Sequence, residues 1–288
     1  MRTTNPYEAS CTRREFITTT AAGAAAVATA GRAWPVPSRR PPYELAFGSH
    51  SFHDLNVDRM LPRVTEMGLT RVEFNDRHLS VFASDRDLEE FTTRLEEAGI
   101  TAISTYTSDF TDDEEEARRI FEFARTVDLQ FFAGAPPPEM LPLLDRLAGE
   151  YGTPVALHNS SGESAPYRTL DDMRSALEAH ANLAACIDLG HFALAGTDPV
   201  RAVRKLGGQA IELHVKDLTT FDRSEAENPY TVVGEGKMDW DGISKALDDT
   251  GFDGWLTLEY QADFWDLDAR ARGIRKSIEA LRTMIAGR

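Results

Sequence analysis

Four short apolar runs in this chain each end in a side chain able to bind a metal. They are VALHNS (155–160), ACIDLGHF (185–192), IELHVKDL (211–218) and WLTLEY (255–260), and the side chains are His158, Asp188, His214 and Glu259. An unbroken apolar run bounded by polar residues reads as a strand buried on both faces. Such strands belong to parallel sheets, which need a crossover, usually a helix, between neighbours. One acidic strand end signals little, because Asp and Glu often open the loop that follows. Four in succession, about one βα unit apart, point to a cation at the mouth of a parallel barrel. Two imidazoles and two carboxylates suit a divalent ion.

The rest of the chain supplies the other units. ELAFGSHSF reads as the first strand, followed by a helix VDRMLPRVTEMG that Gly68 closes. TRVEFN precedes a helix over 85–98 closed by Gly99, and ITAISTYT precedes an acidic-start, basic-end helix over 112–127. LQFFAG leads to a helix that Pro136-Pro137-Pro138 starts and Gly152 stops. PVALHN, LAACIDLG, AIELHV and WLTLEY are strands five to eight, with helices over 170–180, 199–206, 241–250 and 266–285 and a long polar loop over 218–238. Eight strands alternating with eight helices predict a closed (β/α)8 barrel, a TIM barrel, as a single domain over 43–288. A doubly wound open sheet rarely runs to eight units and would not gather the ends of strands five to eight.

A barrel of this kind accounts for the length of 288 residues. The formal charge of −16 argues against nucleic acid and anionic membrane as partners. No stretch of 18 apolar residues is present to span a bilayer. Residues 1–30 carry Arg13-Arg14 ahead of a mild Ala/Thr stretch ending in Ala28-Thr29-Ala30, which resembles a twin-arginine signal peptide. Residues 31–42 form a Pro- and Arg-rich linker. The twin-arginine export machinery is therefore an expected partner, and the periplasm or exterior the expected location. Cys11 leaves with the signal and Cys186 lies in a buried strand, so the mature chain has no internal disulfide.

The segment from Tyr43 onward resembles the xylose isomerase-like barrels, the sugar phosphate isomerases and epimerases. The likeness is most specific in IDLGHF-(x)5-DPVRAVRKLGG-(x)3-ELHVKDL, VVGEGKMDW and LTLEY. It implies one divalent ion (Mn, Mg, Co or Zn) held by His158, Asp188, His214 and Glu259, and a small carbohydrate substrate; an oligomer is compatible with it. In the ketose epimerases of the family the strand-five ligand is a glutamate that works with the strand-eight glutamate on opposite faces of the sugar carbon. Here that position is His158, and a metal-bound imidazole has no lone pair left to act as a base. Glu259 remains as a single base, suited to enediol isomerisation or to proton abstraction followed by loss of a leaving group. The leading expectation is a sugar isomerase or epimerase. The alternatives are a lyase or dehydratase on a keto-sugar, keto-glycoside or inosose, and a non-catalytic sugar-binding barrel.

Secondary candidates surround these four. Lys216 is a candidate to stabilise an enediolate, and His191, Glu73, Asp217 and His53 are candidates for substrate contact. His78 and His180 read as surface residues, and His50 has no predicted place. Phe52, Phe132, Phe192, Phe264 and Trp265 lie near strand ends where rings can stack on sugars. Gly234-Glu235-Gly236 occupies the loop where many barrels bind phosphate, but its central glutamate disfavours an anion and predicts an unphosphorylated substrate.

Overall fold

The computed structural model describes residues 43–263 and 265–286. Eight parallel strands close on themselves: β1 (Glu44–Gly48), β2 (Arg71–Asn75), β3 (Thr101–Tyr106), β4 (Phe131–Gly134), β5 (Val155–His158), β6 (Leu183–Asp188), β7 (Ala210–Val215) and β8 (Trp255–Leu258). Closure is made by β1 on β8, with Glu44 opposite Trp255 and Phe47 opposite Leu258. The barrel is therefore the (β/α)8 architecture the strand pattern predicts. Residues 1–42, with the twin-arginine motif and the linker, lie outside the described residues.

Helices α1 (Val57–Glu66), α2 (Asp85–Ala98), α3 (Glu114–Val127), α4 (Leu141–Tyr151), α5 (Leu170–Ala179), α6 (Leu189–Leu194), α7 (Pro199–Leu206), α8 (Trp240–Thr250) and α9 (Leu267–Ala286) connect or follow the strands. Their ends are written in local chemistry. Ser84 accepts from the Asp87 N–H to start α2, and Gly99 ends it at φ 65°. Thr169 and Asp172 cap each other at the start of α5. No helix among the described residues is long and apolar enough to cross a membrane.

Two details differ from the predicted pattern and matter for the site. The first strand stops at Gly48, and Ser49–Phe52 turns into a 3-10 helix. The polar loop after β7 is tied down by a short antiparallel ladder, Asp217–Leu218 against Tyr230–Thr231.

Alternate residues of each strand face the barrel interior. Cys186 and Asp188, Glu212 and His214, and Thr257 and Glu259 therefore stack as steps from the middle of the barrel to its mouth. Below them Ala46, Ile103, Phe131, Ala156 and Trp255 pack an apolar floor. The register shifts between Val72 and Glu73 on β2 and between Ala185 and Cys186 on β6, both next to interior polar groups. Bulges of this kind re-aim side chains beside functional sites.

Candidate metal centre

The register of the sheet delivers the ligands. Asp188 stands directly opposite His214, and Glu259 follows β8 with its N–H on Val215 O at 3.2 Å. His158 ends β5, and the neighbouring Asn159 locks β5 to β6: its side chain accepts from the Asp188 N–H at 2.7 Å and donates to Asp188 O at 3.0 Å.

Asp188, His214 and Glu259 meet, and His158 joins them through Asp188. His158 Nε2 lies 3.3 Å from Asp188 Oδ2, and His214 Nδ1 lies 3.1 Å from Glu259 Oε2 and 3.7 Å from Asp188 Oδ2. Donors about 2.0–2.2 Å from one ion in a tetrahedron stand about 3.4 Å apart. His214 also keeps both buried ring nitrogens without an aligned hydrogen-bond partner among the described residues. The donor set, its spacing and this unsatisfied imidazole fit a divalent ion. Two other groupings, His158–Cys186–His214 and Glu73–Glu212–His214, are equally close but fully buried. Of the set Asp188–His214–Glu259, His214 and Glu259 line an opening of about 190 Å³ together with His158, His191, Lys216 and Gln261, and Asp188 lies buried behind them.

A second cation is already built in. Lys216 Nζ lies 2.8 Å from Asp188 Oδ2 and 2.8 Å from Glu259 Oε2, in full burial. Burial pushes both carboxyls up, but the Lys216 ammonium and the imidazoles outweigh it and hold them well below the usual carboxylate range. Burial pulls the Lys216 ammonium down, and the same two carboxylates more than reverse that, so it stays charged. Gln261 completes the rim, donating to Glu259 Oε1 at 3.2 Å and accepting from Lys216 at 3.3 Å.

Beneath His214 lies a different carboxyl pair. Glu73 Oε1 is 2.8 Å and Glu212 Oε2 3.5 Å from His214 Nε2. Burial, reinforced by Glu212, raises Glu73 to about 8. Burial raises Glu212 too, but His214 and the Thr257 hydroxyl bring it below its ordinary value, so Glu212 is the ionised member. Neighbours of this kind fix the tautomer of a ligating imidazole and leave its other nitrogen for the ion.

Several secondary candidates fall into place and others do not. His191 lines the opening, with Nδ1 2.9 Å from Ser161 Oγ and its N–H on Asp188 Oδ1 at 2.7 Å; burial lowers it to about 4. Glu73 lines the floor of the opening, turned toward His214 and Ser104. Asp217 does not line the opening. It is 1% exposed, and its carboxylate accepts from the N–H groups of Leu218, Gly234, Gly236 and Met238 and from Trp240 Nε1. Those loop amides, which a phosphate would need, are satisfied internally. His53 also misses the opening. The chain turns at Gly48, and His53 lines a neighbouring hollow with Asp76, Arg77 and Asp109, which shares His50 and Asn75 with the opening. His50 takes the place instead, with Nε2 4.0 Å from Glu259 Oε1. His78 is buried between Ser49 Oγ at 3.0 Å and Leu55 O at 2.9 Å, not on the surface, and His180 is half-buried. Phe52, Phe132 and Phe192 are core packing, and Phe264 lies outside the described residues.

Sequence reasoning missed His50, Tyr106, Gln261 and Glu212. Tyr106 ends β3 with its ring edge-on to His158 at 5.1 Å. A strand end was its signal, as for the ligands, but the strand lacked a metal-binding terminus to mark it.

The family of xylose isomerase-like TIM barrels matches this chain over residues 139–284, just over half its length. The chain belongs to that family. It is 24% identical over 132 residues to the inosose dehydratase of Clostridium beijerinckii, a match covering 42% of this chain and 44% of that enzyme. The chain thus spans less than half the length of the curated relatives it matches. Among solved structures, the IolI protein with a bound zinc atom aligns at a TM-score of 0.69 and 16% identity, covering 85% of this chain and 98% of that one. D-psicose 3-epimerase with D-tagatose from Clostridium cellulolyticum aligns at 0.66 and 15%, covering 84% and 99%. At such identities the likeness carries the fold alone.

Proposed function

We propose that this protein is a divalent-metal-dependent enzyme that removes a proton beside the carbonyl of a free keto-sugar, inosose or keto-glycoside and then expels a leaving group from the next carbon. The observation that carries this reading is the lone carboxylate base at the opening. Glu259 is the ionised carboxylate on the rim, Asp188 is fully buried, and Glu73, the other carboxyl facing the opening, is largely protonated below pH 8. An epimerase that works from both faces of a carbon needs a second base, and strand five supplies His158 instead.

The ion, held by His158, Asp188, His214 and Glu259, would act as a Lewis acid toward the substrate's carbonyl or adjacent hydroxyls. The protein's own groups do the rest. Glu259 takes the proton from the carbon, and the electron pair moves into the carbonyl as an enediolate. Lys216, a fixed ammonium in a dry site, stabilises the oxygen that gains charge. The proton on Glu259 exchanges with solvent and can return to the carbon; when it goes instead to the departing oxygen as the carbon–oxygen bond breaks, Glu259 is left again as the carboxylate. His191, neutral because of its burial, is placed to hold a hydroxyl. The name of the matched dehydratases supports this order of readings. A second reading, 1,2-isomerisation, is favoured by the same lone base, because Glu259 can return the proton to the neighbouring carbon instead.

The test is incubation of the metal-supplied protein in D₂O with ketoses, inososes and 3-keto-glycosides. Deuterium should appear beside the carbonyl, with a product lighter by water or by the aglycone. An unchanged product mass apart from the label selects isomerisation, and no exchange across the panel sinks both readings. We also propose export by the twin-arginine route, because Arg13-Arg14 precedes a mild apolar stretch. Arg13→Lys with Arg14→Lys should strand folded precursor in the cytoplasm, and normal export of that variant would refute the route.

A further inference from the structure

We infer that the site has a second sugar subsite, so that its natural substrate is a glycoside of at least two rings. This inference rests on the elimination reading above, with the second ring as the leaving group. The opening over the metal donors is about 190 Å³. That is room for about six waters at about 30 Å³ each, or one sugar ring and little more. An open surface hollow of about 720 Å³ adjoins it, wide enough for a further ring. The two share Gln261, whose side chain touches Glu259 and Lys216. Tyr230 stands on the same boundary, its ring 5.8 Å from the Lys216 ammonium. A bond leaving the carbon next to Glu259 therefore has an exit into the larger cavity.

The lining says what would fill it. Trp265, 93% exposed, offers an indole face in the wall. Arg223, Asn228, Gln261 and Asp266 surround it with hydrogen-bonding groups of both kinds. An aromatic face among paired donors and acceptors suits a sugar ring, which has an apolar C–H face and a polar edge. Carboxylates at Glu227, Asp263 and Asp266 oppose a phosphorylated or acidic occupant. Two contacts brace the boundary: Asn228 Nδ2 donates to Gln261 O at 3.0 Å, and Arg223 hydrogen-bonds Ser161 Oγ, which in turn meets His191. The cavity is thus wired to the residues that hold the reacting ring.

The experiment is calorimetric titration of the full, Mn²⁺-supplied chain with glucose and galactose, then with cellobiose, lactose and maltose. At least one two-ring sugar should bind about tenfold more tightly than its one-ring counterpart, the scale of an added aromatic contact plus hydrogen bonds. Trp265→Ala should shrink that ratio to within about twofold, and Trp265→Phe should keep most of it. The inference is overturned if all the two-ring sugars match the one-ring sugars, or if the preference survives in Trp265→Ala. It is also overturned if only aromatic glycosides such as p-nitrophenyl glucoside gain affinity. Failure of the elimination reading shows separately, as absence of deuterium exchange in one-ring ketoses and inososes, which do not need the second cavity.

Discussion

Two pairs of carboxyl groups flank His214, and they differ in charge: both members of the upper pair are ionised, and one member of the lower pair. Toward the mouth, Asp188 and Glu259 share the ammonium of Lys216 and remain anionic despite burial. One step down, Glu73 and Glu212 are equally enclosed, with Lys216 engaged above them. Burial there wins for Glu73, which stays protonated to about 8, and loses for Glu212. The contrast separates two consequences of burial. Removing water raises a carboxyl, and a positive partner in contact, Lys216 above and the His214 ring below, is what keeps an enclosed one negative.

The sharpest way to break the comparison is Glu259→Gln, which removes the base from the upper pair. With metal content measured in parallel, deuterium exchange should fall about 10²–10⁴-fold. A fall that merely tracks lost metal would make Glu259 a ligand without a proton-transfer role. Lys216→Met attacks the cation instead. Leaving two buried carboxylates without it should cost about 3–5 kcal/mol in chemical denaturation of the metal-free protein. Added Mn²⁺ or Zn²⁺ should recover part of this, since either neutralises the same oxygens, and a variant as stable as the parent would remove Lys216 from the account.

The lower pair should respond more weakly and unequally. Glu212→Gln removes an anion beside the His214 ring, and metal affinity by competition titration should drop about 10–100-fold. Glu73→Gln replaces a carboxyl that is already neutral, so at pH 6 metal affinity and stability should change by less than about 1 kcal/mol. Should Glu73→Gln prove the more damaging of the two, the assignment of charge within the pair is reversed.

The upper pair was legible in the sequence, while of the lower pair only Glu73 was, for a physical reason. His158, Asp188, His214 and Glu259 each close an apolar run, so their position at the barrel mouth follows from strand polarity alone. Glu212 lies inside such a run, where a charged residue in IELHV has no local signature, and its role depends on β2 arriving with Glu73. The same limit explains Asp217 and His53. HVKD places Asp217 one residue from Lys216, which lines the opening, but alternation along the chain sends its carboxylate away from Lys216, into the following loop. His53 was misplaced because nothing local in ELAFGSHSF announces that the strand turns into a 3-10 helix at Ser49. Helix ends were read well wherever glycine or a side-chain cap marked them, as at Gly99 and Gly251.

The Asp217 carboxylate also bears on how the proposed substrate would reach the candidate metal centre. With four loop amides and an indole N–H drawn onto one side chain, the segment after β7 has little to gain by folding over an arriving sugar. A long surface connection is ordinarily the first part of a barrel to trade its amide hydrogens with solvent. Here the hydrogens of Gly234, Gly236 and Met238 would be retained far longer than those of the loop around them, with or without ligand. Entry to the site would then be a matter of diffusion into a mouth already shaped, and turnover would be paced by bond making or product departure rather than by the swing of this loop.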